Sequence, residues 1–421
     1  MLRFFFLLVI VWCLLRAGLL FLSWNGNPDA ELRGRVLAHF SEEDISRGRE
    51  YVKTGFWVRA ASQYWQIGLL LVGIFSGFFA AMHQRIAALG GGGFWLGNIL
   101  FLLGFLALYQ TISLPISYYL GYVCEKRMGF STMSPSQWGF LYLKSSAIGW
   151  VIQIAAIMLA LWVIKTFPHA WPVLFPVAST AFGALLTVLY PILITPIFYD
   201  QKPLAEGPLK QRILGIAEKA GVPIGGIFEI DESRYSKHTN AYFTGLFSRK
   251  QIVLYDTLIK SHTVDEAALI FAHEVGHWQH DHMMKGLLLG FLGGLAGAFV
   301  LLGVFPLFQV EAAFKLQALW SGANVPFFMV VSIIGNLLLS PCDAQVSQYF
   351  ERQADLASLE LTGLSQTFID AEVRLARDNR SDLMAHPFRV FWLYSHPPSI
   401  ERIAVAEAYR MASPDKVNRE K

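Results

Sequence analysis

Long apolar blocks constrain the fold of this chain more than any other feature of its sequence. A helix that crosses a bilayer needs about 20 predominantly apolar residues. Only 15% of the chain is charged, against about 25% in soluble domains. Seven runs approach the required length, at 4–22, 66–82, 94–120, 146–164, 172–194, 286–308 and 326–340. The sequence therefore predicts an α-helical polytopic membrane protein with seven spans, of which the last is the shortest.

The first run can be a cleaved signal or a retained anchor. Arg16 interrupts it, and no small-x-small cleavage site precedes Pro28, which favours an anchor. Because a charge at mid-span costs roughly 2.5–3.5 kcal/mol, Arg16 should face protein, a water-filled interior or an interface. Interhelical hydrogen bonds and a wet interior both remain open for the other polar residues of the runs, which are Gln66, Asn98, Gln110, Gln153 and Asn336.

The distribution of Lys and Arg between short loops predicts the orientation. The loops after the first and third runs are rich in these residues, whereas Arg85, Lys165 and Lys315 each stand alone in the loops they occupy. The positive-inside rule then places the odd-numbered loops in the cytoplasm. We predict a five-span region at 1–195, a cytoplasmic peptidase domain at 196–285, two spans within 286–341 and a cytoplasmic region at 342–421.

Cysteine usage and net charge exclude several function classes. The three cysteines are isolated, which excludes a disulfide framework and a thiolate metal site. The net charge is +3 without a basic tract, so nucleic acid is not an expected partner. The expected partners are the lipid bilayer and a peptide or protein, and the oligomeric state is left open.

His273-Glu274-Val275-Gly276-His277 is the motif that carries chemistry. Thr263 and Glu266 form a capping-box pattern that starts a helix ten residues before it. Residues four apart share a helix face, so His273 and His277 can bind one metal ion. Glu274 points about 100° away and can act as a general base without being a ligand. The pattern predicts a zinc hydrolase rather than a solvated helix face with two histidines.

A small α+β domain is expected around this helix. Glu206–Ala220 has the pattern of an amphipathic helix, and β-prone runs follow at 227–230, 241–247 and 252–255. An exposed edge strand can hold an extended peptide through its backbone. Asn240 and Ala241 begin our candidate edge, which extends to Gly245; an ordinary buried strand is the alternative.

The third ligand must come from elsewhere in the chain. His280 lies two turns beyond His273, which is too far for the same ion, and His282 is also near. Glu351 is the better candidate, on a helix predicted from Asp343 to Thr362 with Gly363 as its stop. Asp355 lies one turn further and can orient a ligating imidazole. Two histidines and one carboxylate leave a position for water, as catalytic zinc requires.

These motifs together resemble the type I CAAX prenyl protease family. The resemblance rests on HEVGH and on EKRMGFS at 125–131, YPILITPIF at 190–198, SKHTNAYFTG at 236–245, FERQAD at 350–355 and YSHPPSIER at 394–402. It implies seven helices around an intramembrane chamber, a zincin-like domain, and one zinc per chain at the cytoplasmic end. It also implies cleavage of prenylated CAAX-type C termini, although some members act as broader peptidases.

The resemblance carries roles to individual residues. It implies His273, His277 and Glu351 as ligands, Glu274 as base, and Asn240 and Ala241 at the substrate edge. His396 and Arg402 would stand near the site, where a donor can stabilise an oxyanion. The alternatives are a turn at His396-Pro397-Pro398 and a structural pairing of Arg402 with Glu351 or Asp355.

Several readings of function remain in competition. A quality-control peptidase without prenyl dependence would use the same zinc chemistry. A transporter or assembly factor with structural zinc has no evident use for Glu274. A site-2-type intramembrane protease is disfavoured, because charged residues bracket the HEVGH helix and the Asp-Gly ligand pattern is missing. The absence of a dilysine signal favours a bacterial inner membrane over the endoplasmic reticulum.

Overall fold

The computed structural model describes residues 2–25, 29–89, 91–244, 250–307 and 309–412, and most of these are helical. Its α-helices, labelled α1 to α18 in chain order, are Leu2–Asn25, Ala30–Leu37, Glu42–Phe75, Phe78–Leu89, Phe94–Tyr118, Glu125–Arg127, Pro135–Thr166, Trp171–Leu189, Thr195–Phe198, Pro208–Lys219, Asp256–Ser261, Val264–Gln279, His282–Leu307, Val310–Ala313, Val325–Thr362, Ser365–Asp378, Pro387–Leu393 and Ser399–Ala412. π-helical segments lie at Tyr119–Cys124 and Tyr190–Ile194, and 3₁₀ segments at Glu232–Arg234 and Gly322–Asn324.

Five helical segments of the described chain are long and apolar enough to cross a membrane. They are Phe94–Arg127, Pro135–Thr166, Trp171–Phe198, His282–Leu307 and Gly322–Thr362. A sixth arises if α3 and α4, which meet at a 67° bend, count as one broken span. The membrane-protein class is thus confirmed, and five to six candidate spans are present among the described helices.

The predicted span at 66–82 is not one straight helix. The bend between α3 and α4 falls inside the apolar run, at Gly77, whose φ is +75°. That left-handed conformation suits glycine because it has no Cβ. Hydropathy alone does not register such a bend, since Ser76 and Gly77 are too few to interrupt the apolar average.

The last span and the helix that carries Glu351 form one element. α15 runs for 38 residues, so the predicted break before Asp343, and the domain boundary at 341/342, fall inside a continuous helix. Pro341 removes one backbone hydrogen bond, a loss that membrane helices tolerate when neighbours satisfy the freed group. The predicted stop is confirmed, because Gly363 caps the helix with φ +72°.

A four-stranded sheet lies beside the HEVGH helix. Its strands are β1 (Gln201–Pro203), β2 (Ile224–Ile230), β3 (Ala241–Thr244) and β4 (Lys250–Tyr255). Their order is β1-β2-β4-β3, with β2 and β4 parallel and the outer pairs antiparallel. The predicted strands exist, β1 was not predicted, and Gly245 lies outside the described residues.

Apolar packing fixes this sheet against α10 and α12. Ile213 of α10, Leu254 of β4 and Phe271 of α12 are completely buried in one cluster. The predicted helix at Glu206–Ala220 is confirmed as α10. The sheet and its helices therefore form a separate core beside the membrane helices, whose own core includes Phe101 and Phe105.

Polar residues of the spans are used in two ways. Asn98 is buried, and its Oδ1 accepts from the Gly322 backbone N–H at 2.8 Å and lies 3.0 Å from His83 Nε2. Arg16 is only 7% exposed, and with Asn336 it lines a cavity of about 610 Å³. Hydrogen bonding between elements therefore occurs at Asn98, whereas Arg16 and Asn336 border a cavity between helices.

Candidate metal centre and active site

Helix α12 presents its two histidines because its other face is anchored. The Thr263 hydroxyl accepts from the Glu266 N–H and the Glu266 carboxylate accepts from the Thr263 N–H, which is the predicted capping box. Ala268, Ala272 and Val275 are fully buried against the sheet. Such a cap and buried stripe fix the start and the rotation of a helix.

The close approach of α12 and α15 brings the third candidate ligand into place. A Cβ added to Gly276 would lie 2.8 Å from the Ala354 Cα and 3.0 Å from the Ala357 Cβ. Only a glycine allows this separation, because such Cβ contacts are shorter than van der Waals distance. The glycine inside HEVGH therefore sets the distance between the two helices that carry the candidate ligands.

The three candidate ligands meet at this crossing. His273 Nε2 lies 3.2 Å from Glu351 Oε2, and His277 Nε2 lies 3.4 Å from Glu351 Oε1. The two imidazole Nε2 atoms are 3.1 Å apart. One donor atom from each residue falls within 4.8 Å of the others. The geometry is that of three lone pairs converging on one point.

This donor set fits a catalytic zinc ion. Glu351 is buried, and its Oε2 has no hydrogen-bond partner among the described residues. A buried carboxylate oxygen without a donor is costly unless a cation occupies its neighbourhood. Two imidazoles and a carboxylate also leave one coordination position open, as in catalytic zinc sites. His280 stacks on His282 and lies outside this group.

His273 is held from behind by a chain of buried charges. Its Nδ1 lies 2.9 Å from Asp355 Oδ1, and Arg402 donates to both Asp355 oxygens at 2.8 and 2.5 Å. Arg402 also pairs with Glu372 at 2.7 Å. Burial would lower the pKa of His273, but the hydrogen bond to Asp355 and the neighbouring Glu351 carboxylate outweigh it and raise the pKa to about 10. Arg402 thus pairs with Asp355, which was one of the two structural pairings considered as alternatives to a role near the substrate.

Glu372 is the one member of this series of buried charges that the sequence did not predict. Its carboxyl group is buried, and burial raises its pKa, against the attraction of Arg402. Burial likewise opposes the charge of Arg402, but Glu372 and Asp355 outweigh it and raise its pKa. Nothing in the sequence near Glu372 distinguishes it from the other acidic residues of an amphipathic helix.

His277 has a different, neutral partner behind it. Its Nδ1 lies 2.9 Å from His282 Nδ1, and His282 Nε2 lies 3.0 Å from Gln353 Oε1. Since the Gln353 oxygen only accepts, His282 must donate from Nε2, and its Nδ1 is left as an acceptor. His277 then donates from Nδ1 and keeps the Nε2 lone pair for a metal. His282 is thus placed behind a candidate ligand, a position its spacing could not reveal.

Two further predicted residues border the cluster. His396 Nε2 lies 3.4 Å from Glu351 Oε1, with 60% of its side chain exposed. Glu274 is partly buried, one residue beyond His273 on the same helix. His396 therefore stands at the open side of the site, where a bound substrate can be reached.

The predicted substrate strand lies at the edge of the sheet. β3 pairs with β4 and also packs against α12. Asn240 is exposed and Ala241 is buried, and the Asn240 side chain accepts from the Ala241 N–H at 2.9 Å. The edge position, but not its use by a substrate, follows from this arrangement.

His238 anchors the approach to that strand. Its Nε2 lies 3.0 Å from Glu125 Oε2 and its Nδ1 lies 3.1 Å from Asn379 Oδ1. Its backbone carbonyl accepts from Thr257 at 2.8 Å. The bond to Glu125 raises the pKa of His238, although burial opposes the charge. A helix end at the membrane and the C-terminal region are thus joined just before β3.

Comparisons with known proteins agree with the site and the fold. Residues 28–200 match the family model described as CAAX prenyl protease N-terminal, five membrane helices, and residues 203–410 match peptidase family M48. CAAX prenyl protease 1 of Saccharomyces cerevisiae is 31% identical over 326 residues, covering 72% of this chain and 71% of that protein. The uncharacterized metalloprotease YhfN of Bacillus subtilis is 27% identical over 298 residues, 70% of each chain. The crystal structure of S. mikatae Ste24p superposes with a TM-score of 0.77 at 26% identity, covering 87% of this chain and 89% of that one.

A multi-pass membrane fold with a His-His-Glu cluster defines a membrane metalloprotease. The chain belongs to peptidase family M48, with the CAAX prenyl protease N-terminal region, as its motifs predicted. The prediction of an enzyme is confirmed at this level.

Proposed function

We propose that the chain is a zinc-dependent endopeptidase that hydrolyses peptide bonds near the C terminus of CAAX-type substrates. The observation that carries the proposal is the convergence of His273, His277 and Glu351 beside Glu274. The relative that is 31% identical is named CAAX prenyl protease 1, which supports the substrate class.

His273, His277 and Glu351 would hold one zinc ion per chain. Bound there, zinc would polarise the scissile carbonyl and acidify a water molecule. Glu274 takes the proton of the attacking water and delivers it to the leaving amine. Asp355 and His282 keep the two imidazoles oriented with Nε2 toward the metal.

Asn240 and Ala241 would bind the substrate backbone along β3, which is an edge strand beside α12. His396, exposed and next to Glu351, is the better placed of the two C-terminal candidates to donate to the oxyanion. Arg402 already donates to Asp355 and Glu372, so we assign it to positioning His273 rather than to contact with substrate.

We also propose that α1 is a seventh span and that the sheet with its helices is a zincin-like domain. α1 is 24 residues long, enough for a bilayer core of about 30 Å at 1.5 Å per residue. The Lys and Arg distribution supports a cytoplasmic active site, and we favour a bacterial inner membrane.

Cleavage of a farnesylated CAAX peptide by the purified protein tests the proposal. Glu274→Gln should lower turnover by about 10²–10⁴-fold while zinc content stays near one per chain, because only the base is lost. Glu360→Gln, at an exposed position of α15, is the matched control. Turnover retained in Glu274→Gln would refute the mechanism.

The same peptide without its farnesyl group separates two substrate classes. A large preference for the farnesylated form supports CAAX processing. Equal turnover of both forms would favour the quality-control peptidase, whose metal chemistry is the same.

A further inference from the structure

A cavity with a mixed apolar and polar lining lies along the face of α15 that leads to Glu351. Its volume is about 610 Å³, and it lies between α1, α3, α15, α17 and the segment that follows α17. On α15 its wall runs from Asn336 to Ser347, which is one turn before Glu351. At its other side the wall includes Ser395, the neighbour of His396. The cavity therefore ends next to the site, both along α15 and along the segment that carries His396.

Two arginines without an ion pair in the described part of the chain line this cavity. Arg16 is more than nine-tenths buried, and its Nε has no acceptor. Arg59 is exposed to the cavity, and the nearby Glu125 carboxylate is already bound by His238 and Tyr51. An unpaired buried guanidinium is costly, so an anion is the expected partner.

The remaining charges of the wall leave it positive. Arg389 is neutralised by Asp382 at 2.6 Å, and its guanidinium stacks on Trp24. Asp343 is the one carboxylate among the residues that line the cavity. Within the lining, Arg16 and Arg59 therefore face one carboxylate. The Glu125 carboxylate near Arg59 lies outside the lining and is shared with His238 and Tyr51, so a further carboxylate can be accommodated.

The two arginines lie at different distances from the level at which Trp24 of α1 contacts Phe56 of α3. The rings of Trp24 and Phe56 are in contact, with centroids 5.6 Å apart, so α1 and α3 are level there. Arg59 is three residues, or about one turn, beyond Phe56 on α3. Arg16 is eight residues from Trp24 on α1, or about 12 Å deeper at 1.5 Å per residue.

We propose that this cavity binds the C-terminal carboxylate of the substrate, with Arg59 as the first contact and Arg16 below it. The proposal rests on the proposed function, since CAAX cleavage leaves three residues between the scissile bond and the carboxylate. Three extended residues span about 10 Å. From Glu351, that length reaches the level between Ser347 and Asp343 on α15, which are about 6 and 12 Å away. The two oxygens of a carboxylate match two parallel N–H donors of an arginine guanidinium, which allows a bidentate pair.

Paired peptides that differ only at the C terminus test this subsite. One ends in a free carboxylate and the other in a carboxamide, and kcat/KM is measured for both with the full-length protein in detergent. The wild type should prefer the free acid by about tenfold to a hundredfold, the range for a charge-assisted hydrogen bond. Arg59→Met should bring this ratio close to one, and Arg16→Met should reduce it less.

Arg47→Met is the matched control, because Arg47 lies on the same helix, is exposed and pairs with Glu43 outside the cavity. Its acid-to-amide ratio should equal that of the wild type. Arg59→Lys should retain part of the ratio, which separates a charge effect from a folding defect. An equal rate on both peptides by the wild type would overturn the subsite and leave the protease assignment intact. A ratio unchanged in both arginine variants would also overturn it. If the wild type cleaves neither the free-acid peptide nor the carboxamide, the proposed protease function itself is wrong.

Discussion

The helix α12 and the helix α13 that follows it show two different uses of glycine. At Gly276 a Cβ would press on the backbone of Ala354, whereas at Gly286, Gly290 and Gly293 of α13 it would meet nothing within 4 Å. Only 6% of the most apolar stretch of α13 is buried inside the protein. Close packing is therefore concentrated where the candidate ligands converge, while the spans leave most of their surface to lipid or to enclosed space.

Of the substitutions considered, Gly276→Ala should have the largest effect on zinc affinity and turnover. The new Cβ must push α15 away, and overpacking typically costs about 1–3 kcal/mol. Because Glu351 moves with α15, zinc affinity and turnover should fall by more than 100-fold, on the order of that cost and the lost ligand geometry combined. Zinc competition with a chromophoric chelator measures the affinity.

Gly286→Ala is the control for that change. Alanine replaces glycine in an open position of a helix, which is neutral or stabilising by up to about 1 kcal/mol. Equal zinc affinities of the two alanine variants would contradict the view that helix separation at Gly276 defines the site.

Asp355→Asn should have the next largest effect. The variant keeps the shape of the side chain but removes the charge that Arg402 and His273 share. Loss of such an outer partner typically lowers metal affinity about 10–100-fold. Equilibrium zinc binding and kcat/KM should fall together, whereas the exposed Glu360→Gln should change neither.

The sequence was most informative where one short segment supplies the chemistry. His273, Glu274 and His277 are fixed by helical periodicity, and Thr263 with Glu266 announces the start of α12. Glu351 needed the assumption that a distant helix returns to the same place, and the family resemblance supplied it. Glu372 and Gln353 were not predictable, because their roles depend on which helix faces meet in three dimensions. The bend at Gly77 and the continuity of α15 through Pro341 were not predicted either. Both depend on how neighbouring elements satisfy the backbone groups at these positions, which the local sequence does not show.

His282→Phe should weaken zinc binding less than Asp355→Asn does. Phenylalanine preserves the stacking on Phe350, whose ring centroid is 4.1 Å from that of His282. It removes His282 Nδ1, which accepts the hydrogen bond from His277 Nδ1. The imidazole of His277 can then adopt either tautomer. We expect a loss of about tenfold, the lower end of the range for outer partners. His280→Phe should leave the affinity unchanged, and an equal loss in both variants would argue against a role for the His277–His282 bond.

The smallest effect concerns stability at His238, away from the metal. Its folded-state pKa is raised above the unfolded value of about 6.5, chiefly by the bond to Glu125. A raised pKa means that the stabilisation is complete below the unfolded pKa and is lost as the pH rises through the folded value. Because the pair is about one-third exposed, the contribution should be on the order of 1 kcal/mol or less. The unfolding temperature of the wild type should therefore fall as the pH rises above about 6.5. His238→Gln should flatten that slope, and the exposed His169→Gln should preserve it. If the slope is unchanged in His238→Gln, packing and not the charge of the imidazolium stabilises the junction before β3. This region would then resemble the contact between α12 and α15 at Gly276, which also depends on close packing.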